Sequence, residues 1–112
     1  MTANQNEIYD IVLANGRVID PETYLDGQMH VGITGDRIAA VSETPLEGKQ
    51  VIDASGLIIS PGFIDLHSHG QYIPTNRMQA FDGVTTALEL EYGSLPIGEF
   101  YANCAKEGRA IN

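Results

Sequence analysis

Paired turn residues divide the first half of this sequence into short runs, and their spacing restricts that half to a strand-rich module. Asn15-Gly16 separates Tyr9–Ala14 from Arg17–Asp20, and Gly35-Asp36 separates Met29–Thr34 from Arg37–Ser42. Ser55-Gly56 then stands between Gln50–Ala54 and Leu57–Ser60. Asn-Gly between β-rich runs is the strongest short-range hairpin signal, because both turn positions need positive φ. The expectation is a small antiparallel β module with hairpins at Asn15-Gly16 and Gly35-Asp36, and an exposed connection over residues 43–49.

After Ser60 the texture changes. Phe63–His67 is an apolar run, Thr75–Phe81 predicts a short helix, and Asp82-Gly83 supplies its C-terminal stop. Val84–Glu91 begins as a strand. Beyond Pro96, residues Ile97, Phe100, Tyr101, Cys104 and Ala105 recur at helical spacing, with Lys106 near the end of that helix and Gly108 closing it. Arg109–Asn112 has the look of another strand opening. Strand, helix, strand and helix in alternation is the signature of β/α units around a parallel sheet. Such strands are buried on both faces, and a closed (β/α)8 barrel takes roughly 250 residues. Two units cannot close a barrel, so the sequence is expected to be cut off inside a domain. Exposed apolar edges, with aggregation or homo-oligomerisation, should follow. Cys104, on the apolar stripe, is expected in the core.

Composition narrows the partners. The 112 residues carry 15 acids against 6 bases, a net charge of −9. Nucleic acid and anionic membrane both require a basic patch, so neither is an expected partner. A solvated surface is the plain explanation of the acidity. One cysteine allows no internal disulfide, Met1–Glu7 shows no secretory leader, and no apolar stretch approaches a membrane span. The expected compartment is the cytoplasm.

The chemistry-bearing stretch is Ser60-Pro61-Gly62-Phe63-Ile64-Asp65-Leu66-His67-Ser68-His69-Gly70. On a strand, residues two apart share a face, so His67 and His69 present two imidazoles side by side with Asp65 in the same column. Imidazole nitrogens suit zinc and related divalent ions. Two surface histidines without a ligand are the bland alternative. Asp65 has two readings as well. It either orients a histidine or supports the strand end from outside the ligand set, or it is a buried acid satisfied by backbone donors. His30, in the β module, is read as structural or solvent-facing.

Pro-Gly-Phe-Ile-Asp-Leu-His-Ser-His resembles the first barrel strand of the amidohydrolase superfamily, the metal-dependent hydrolases that include dihydroorotases, hydantoinases, ureases and D-aminoacylases. Tyr9–Asp20 resembles the opening hairpin of those enzymes, Val31–Val41 and Val51–Gly56 resemble the segments that follow, and Gly83-Val84-Thr85-Thr86 resembles the start of their second barrel strand. The resemblance implies an α/β plus β architecture. Residues 1–60 would be the N-terminal strands of a composite β-sandwich, completed in the family by C-terminal strands. Residues 61–112 would be the first two β/α units of an incomplete TIM-like (β/α)8 barrel. It also implies one or two divalent metal ions, zinc first, with His67 and His69 as ligands, and hydrolysis of a C–N amide bond in a small-molecule substrate. The family's remaining ligands and its catalytic aspartate come from later strands, so no catalytic residue is expected in this segment and the segment alone should be inactive.

Within the superfamily the texture is most similar to the D-aminoacylase group, which deacylates N-acyl-D-amino acids. There is one departure. That group has a bridging cysteine shortly after Gly-Val-Thr-Thr, where this sequence has Ala87-Leu88-Glu89-Leu90-Glu91. Two carboxylates on one side of a buried strand are costly unless paired or metal-bound. Glu91 is therefore the candidate bridging ligand, with Glu89 second. The alternative is that the strand has ended, the acids are solvated or hydrogen-bonded, and a later lysine is the bridge. Two other readings of the whole stay open: a non-catalytic module with a vestigial two-histidine site, and a cyclic amidase of the dihydroorotase or hydantoinase kind.

Overall fold

The computed structural model describes residues 7–70 and 72–112. The first six residues, read above as free of a leader, lie outside the described set. The chain divides into two compact units, Met1–Pro61 and Gly62–Asn112.

The first unit is a single mixed sheet built on β1 (Ile8–Asp20). Along β1 burial alternates residue by residue, with Val12, Ala14, Gly16 and Val18 inside and Asn15 and Arg17 outside, the period-two pattern of a half-buried strand. Antiparallel to it lies β2 (Leu25–Thr34), which turns at Gly35-Asp36 into the edge strand β3 (Arg37–Ser42), as expected. On the other side of β1 come β4 (Glu47–Asp53) and β5 (Ile58–Ile59), both parallel to it.

Two expectations need correction. The hairpin at Asn15-Gly16 does not form. Of the dipeptide only Asn15 has positive φ (62°), and β1 runs straight through it while its pairing with β2 slips between Leu13 and Gly16. The result is a β-bulge. A bulge leaves main-chain groups without a ladder partner, and side chains of β2 take them. Asn15 N–H donates to His30 Nδ1 at 3.4 Å, and its carbonyl accepts from Gln28 Nε2 at 2.9 Å. His30 is thus a structural residue. The reversal comes instead over Pro21–Tyr24, where Asp20 accepts from Glu22 N–H (3.1 Å) and the Thr23 hydroxyl (2.6 Å).

Nor is the module wholly antiparallel. The connection after β3 crosses to the far side of β1, so β4 enters in the direction of β1. Part of the expected connection, Glu47-Gly48-Lys49, belongs to β4 itself. Ser55-Gly56 is then a step between two strands on the same edge. Ala54 N–H donates to the Ala14 carbonyl (2.7 Å) and Arg17 N–H to the Leu57 carbonyl (3.0 Å), so the step spans the bulge. Asn15 Nδ2 reaches across to Asp53 Oδ1 at 3.2 Å.

Tyr9, Val12, Ala14 and Ala40 form the buried cluster, with Ala39 and Leu46 packed on it. The Tyr9 ring lies against the backbone of Gly32, where an added Cβ would come within 2.8 Å of ring carbons. Ile8, Val51, Ile52, Leu57 and Ile58 stay exposed.

The second unit opens with β6 (Phe63–Asp65), followed by α1 (Ile73–Phe81), β7 (Val84–Ala87) and α2 (Ile97–Glu107). β6 and β7 pair in parallel across the α1 crossover, the β/α/β arrangement expected from the alternation. α1 starts two residues earlier than expected, with Pro74 in its first turn, where a missing N–H costs nothing. Its buried residue is polar, Asn76. Gly108, φ 72°, ends α2, as expected. No residue of α2 is buried, and Cys104 is only half-covered, so the stripe expected to be core lacks cover among the described residues. Residues 109–112 carry no assigned strand. Even so, Asn112 N–H donates to the Thr85 carbonyl (3.0 Å) and its carbonyl accepts from Ala87 N–H (2.9 Å), a parallel bridge beside β7. No described helix is long and apolar enough to cross a membrane.

Gly32→Ala forces the Tyr9 ring from its seat and is expected to lower stability by about 1–3 kcal/mol, the usual cost of overpacking. Urea unfolding of the protein checks this. An unchanged midpoint would show that the ring does not rest on Gly32.

Candidate metal centre

The segment carrying the two histidines is shaped by one residue, Leu88, just past the end of β7. Leu88 N–H donates to the Asp65 carbonyl (2.8 Å), and the Leu88 carbonyl accepts from Ser68 N–H (3.1 Å). In a regular parallel ladder those two partners would be two residues apart. Here they are three apart, so one extra residue is accommodated before Ser68, and assigned strand ends at Asp65. The freed His67 N–H is taken by Asp65 Oδ1 at 3.0 Å. The recorded hydrogen bond of the Asp65 carboxylate is thus to main chain and not to an imidazole.

From this irregular segment the two rings converge. His67 Nε2 lies 2.9 Å from His69 Nε2, and Glu91 Oε2 lies 2.7 Å from the first and 3.2 Å from the second. The three side chains are exposed. Two neutral imidazoles cannot point lone pairs at each other at this distance without repulsion, so a proton or a cation belongs between them. Ligands around a tetrahedral zinc at about 2.0–2.1 Å stand roughly 3.3 Å apart. The donor set, two nitrogens and a carboxylate oxygen, suits such an ion, and the three atoms, 2.7–3.2 Å apart, would spread slightly to hold it.

Glu91 reaches the histidines by a route other than the one expected. β7 stops at Ala87, so strand alternation does not place Glu89 and Glu91 on one face. A turn does it instead. Glu89 folds back, and its Oε1 accepts from Tyr92 N–H (2.7 Å) and Glu91 N–H (3.1 Å). Its side chain is 8% exposed, and its other oxygen lies 3.7 Å from His69 Nδ1. The Tyr92 N–H is the main reason its carboxyl is held below the ordinary glutamate range. Burial opposes the shift, and the Glu91 N–H, His69 and the Gly93 N–H add to it. Glu89 therefore braces the turn that presents Glu91, and stands outside the converging trio.

Three residues at the site were not singled out from sequence: Ser68, Asn76 and Gln79. Gln79 Nε2 donates to Ser68 Oγ (2.7 Å), and Asn76 Nδ2 donates to the Gly70 carbonyl (2.9 Å) and to Gln79 Oε1 (3.1 Å). The available signal was the alternation that pairs His67 with His69, since it turns Ser68 the other way.

No protein-family model matches the sequence. An allantoinase of Salmonella choleraesuis (strain SC-B67) is 36% identical over 100 aligned residues, which take in 79% of this chain and 21% of that protein. A crystal structure of D-aminoacylase, described as defining a subset of amidohydrolases, superposes with a TM-score of 0.63 at 36% identity, over 72% of this chain and 18% of that one. The resemblance is to amidohydrolases, and to D-aminoacylase among them. An N-acyl-D-glutamate deacylase from Bordetella bronchiseptica, solved with zinc and a phosphonate inhibitor, shares the fold more broadly. Its TM-score is 0.76 at 24% identity, over 95% of this chain and 28% of that one. The chain spans about a fifth of the length of the curated amidohydrolase relatives it matches.

Because the Glu89 carboxyl is lowered on folding, its contribution is fully present above the ordinary glutamate range and is lost as pH falls through the lowered value. Glu89→Gln keeps an acceptor but removes the charge. The stability gap between wild type and this variant should be largest at neutral pH and close in acid, as measured by urea unfolding across pH. A gap independent of pH would show that the charge does not brace the turn.

Proposed function

We propose that this chain carries the first metal ligands of an amidohydrolase that cleaves the C–N amide bond of an N-acyl-D-amino acid. The observation that carries the reading is the convergence of His67 Nε2, His69 Nε2 and Glu91 Oε2 within hydrogen-bond distance of one another. The first two would be ligands through neutral imidazole nitrogens, and Glu91 would take the bridging place that a cysteine has in the D-aminoacylase group. A bound divalent ion, zinc by preference, supplies polarisation of the amide carbonyl and a lowered pKa for water. The chain's own part is to hold the three donor atoms together, with Asp65 and Glu89 fixing the two backbone segments that deliver them.

The same reading makes the second unit, from residue 61, the first two β/α units of a (β/α)8 barrel. Parallel β6–β7 pairing supports this, as does the bridge from Asn112 to Thr85 and Ala87, which starts a third parallel member. Residues 1–60 would be the N-terminal strands of a composite β-sandwich, and their exposed apolar residues the surface that further strands cover. A small amide substrate, no nucleic-acid or membrane partner, self-association and a cytoplasmic location complete the proposal. A second reading, hydrolysis of a cyclic amide, is favoured by the Salmonella allantoinase.

The test is metal content of the protein as encoded, purified in zinc-replete buffer, beside His67→Ala/His69→Ala. Stoichiometric zinc in the wild type, lost in the double variant, is expected. Turnover of N-acetyl-D-amino acids against allantoin, assayed on a longer chain that contains this segment because the segment alone is expected to be inactive, then separates the two substrate classes. Zinc absent from wild type would defeat the metal reading and leave a non-catalytic module.

A further inference from the structure

We propose that Ser68, Gln79 and Asn76 are positioning residues that lock His67 and His69 at chelating separation, an inference that rests on the metal reading above. In an extended segment successive side chains leave on opposite sides. His67 and His69 are exposed, while Ser68 between them is 5% exposed and turned toward α1. There its oxygen accepts from Gln79 Nε2 (2.7 Å) and from Gly70 N–H (3.3 Å).

The next link is held as well. Asn76, 8% exposed, donates through one amide nitrogen to the Gly70 carbonyl and to Gln79 Oε1, and its oxygen faces Arg109 at 3.4 Å. Gly70 packs on Thr75 so closely that a Cβ there would collide with the Thr75 methyl. The residues between and after the two imidazoles, Ser68 and Gly70, are therefore fastened to one helix by side chains that the metal reading does not otherwise require. A polar residue as the buried position of α1 has a physical explanation on this view. A hydrophobic residue at 76 would leave the Gly70 carbonyl and Gln79 Oε1 without their donor.

Fixing a ligating segment through neighbouring hydrogen bonds lowers the cost of ordering it when an ion binds, and loss of such support weakens metal affinity by about 10–100-fold. The three residues act through the histidines and touch no substrate. Because the bonds share Ser68 Oγ and the Gln79 amide, their losses should not add.

The experiment is competition titration of zinc against a chromophoric chelator, with cobalt(II) absorption as a spectroscopic readout, on the wild-type protein as encoded. Ser68→Ala, Gln79→Leu and the double variant are compared with it, and Gln79→Glu serves as the conservative rescue because it can still accept from Asn76 and can accept the Ser68 hydroxyl proton where Gln79 donates to that oxygen. Each single variant should bind zinc about 10–100-fold more weakly with an altered cobalt spectrum. The double should be no worse than the weaker single, and Gln79→Glu should recover part of the loss. Gly83→Ala strains the turn after α1 and controls for destabilisation. It should lower the unfolding temperature and leave zinc affinity unchanged. Wild-type affinity in Ser68→Ala and Gln79→Leu overturns the positioning role, as does an equal loss in Gly83→Ala. Failure of wild type itself to bind zinc overturns the metal reading and this role with it.

Discussion

The second unit depends on the grip of Leu88 on the chain beside it. This one residue, its N–H donating to Asp65 and its carbonyl accepting from Ser68, ends β6, admits the extra residue and sets the backbone from which His67 and His69 project. Every other contact at the site answers a consequence of that grip. Asp65 takes the N–H that the irregularity frees, α1 holds the far side of Ser68 and Gly70, and Glu89 folds the chain after Leu88 so that Glu91 comes back over the imidazoles. The site is thus a product of parallel pairing just past the end of regular strand, where the neighbouring segment still aligns the backbone and Ser68 still faces away from His67 and His69.

A related economy governs the first unit. Asn15 interrupts the longest strand on both of its edges at once. On one edge the pairing with β2 slips, and on the other β4 gives way to β5. Side chains from both neighbours, Gln28 and His30 from β2 and Asp53 from β4, close the main-chain and amide valences that the interruption exposes. These bonds are exposed, so each adds only modestly, and the polar residues serve to hold the interrupted strand to both of its neighbours.

Much of this was legible in sequence, and the failures have local causes. The Gly35-Asp36 hairpin, the α1 and α2 helices, and the β/α alternation follow from turn chemistry and apolar spacing. Those are local signals that tertiary context rarely reverses. Asn15-Gly16 carries the same signal as a hairpin and is a bulge, because two long-range partners, β4 and β2, hold the chain straight on either side. Parallel pairing of β4 with β1 was invisible, since strand direction is set by a crossover and not by the residues crossing. At the candidate site, the spacing paired His67 with His69 and the family resemblance named them as ligands, while Glu91 was named on strand alternation although a turn delivers it. Ser68, Asn76 and Gln79 were passed over because ordinary polar residues in a short helix look like surface until their burial is known.

The three converging atoms are unequally distant along the chain. His67 and His69 are two residues apart, while Glu91 joins them only after the whole β6–α1–β7 crossover has folded. A cation held by all three therefore closes a loop of 24 residues as well as filling a coordination shell. For a loop of that size the chain entropy lost on closure grows only slowly with length, at about (3/2)RT ln n. Ion affinity would then report on completion of the crossover: weak and local in an unfolded chain that offers two imidazoles, stronger once the carboxylate arrives. The difference between those two affinities would be free energy returned to the fold, which would make an ion held there a clasp on the parallel strand pair.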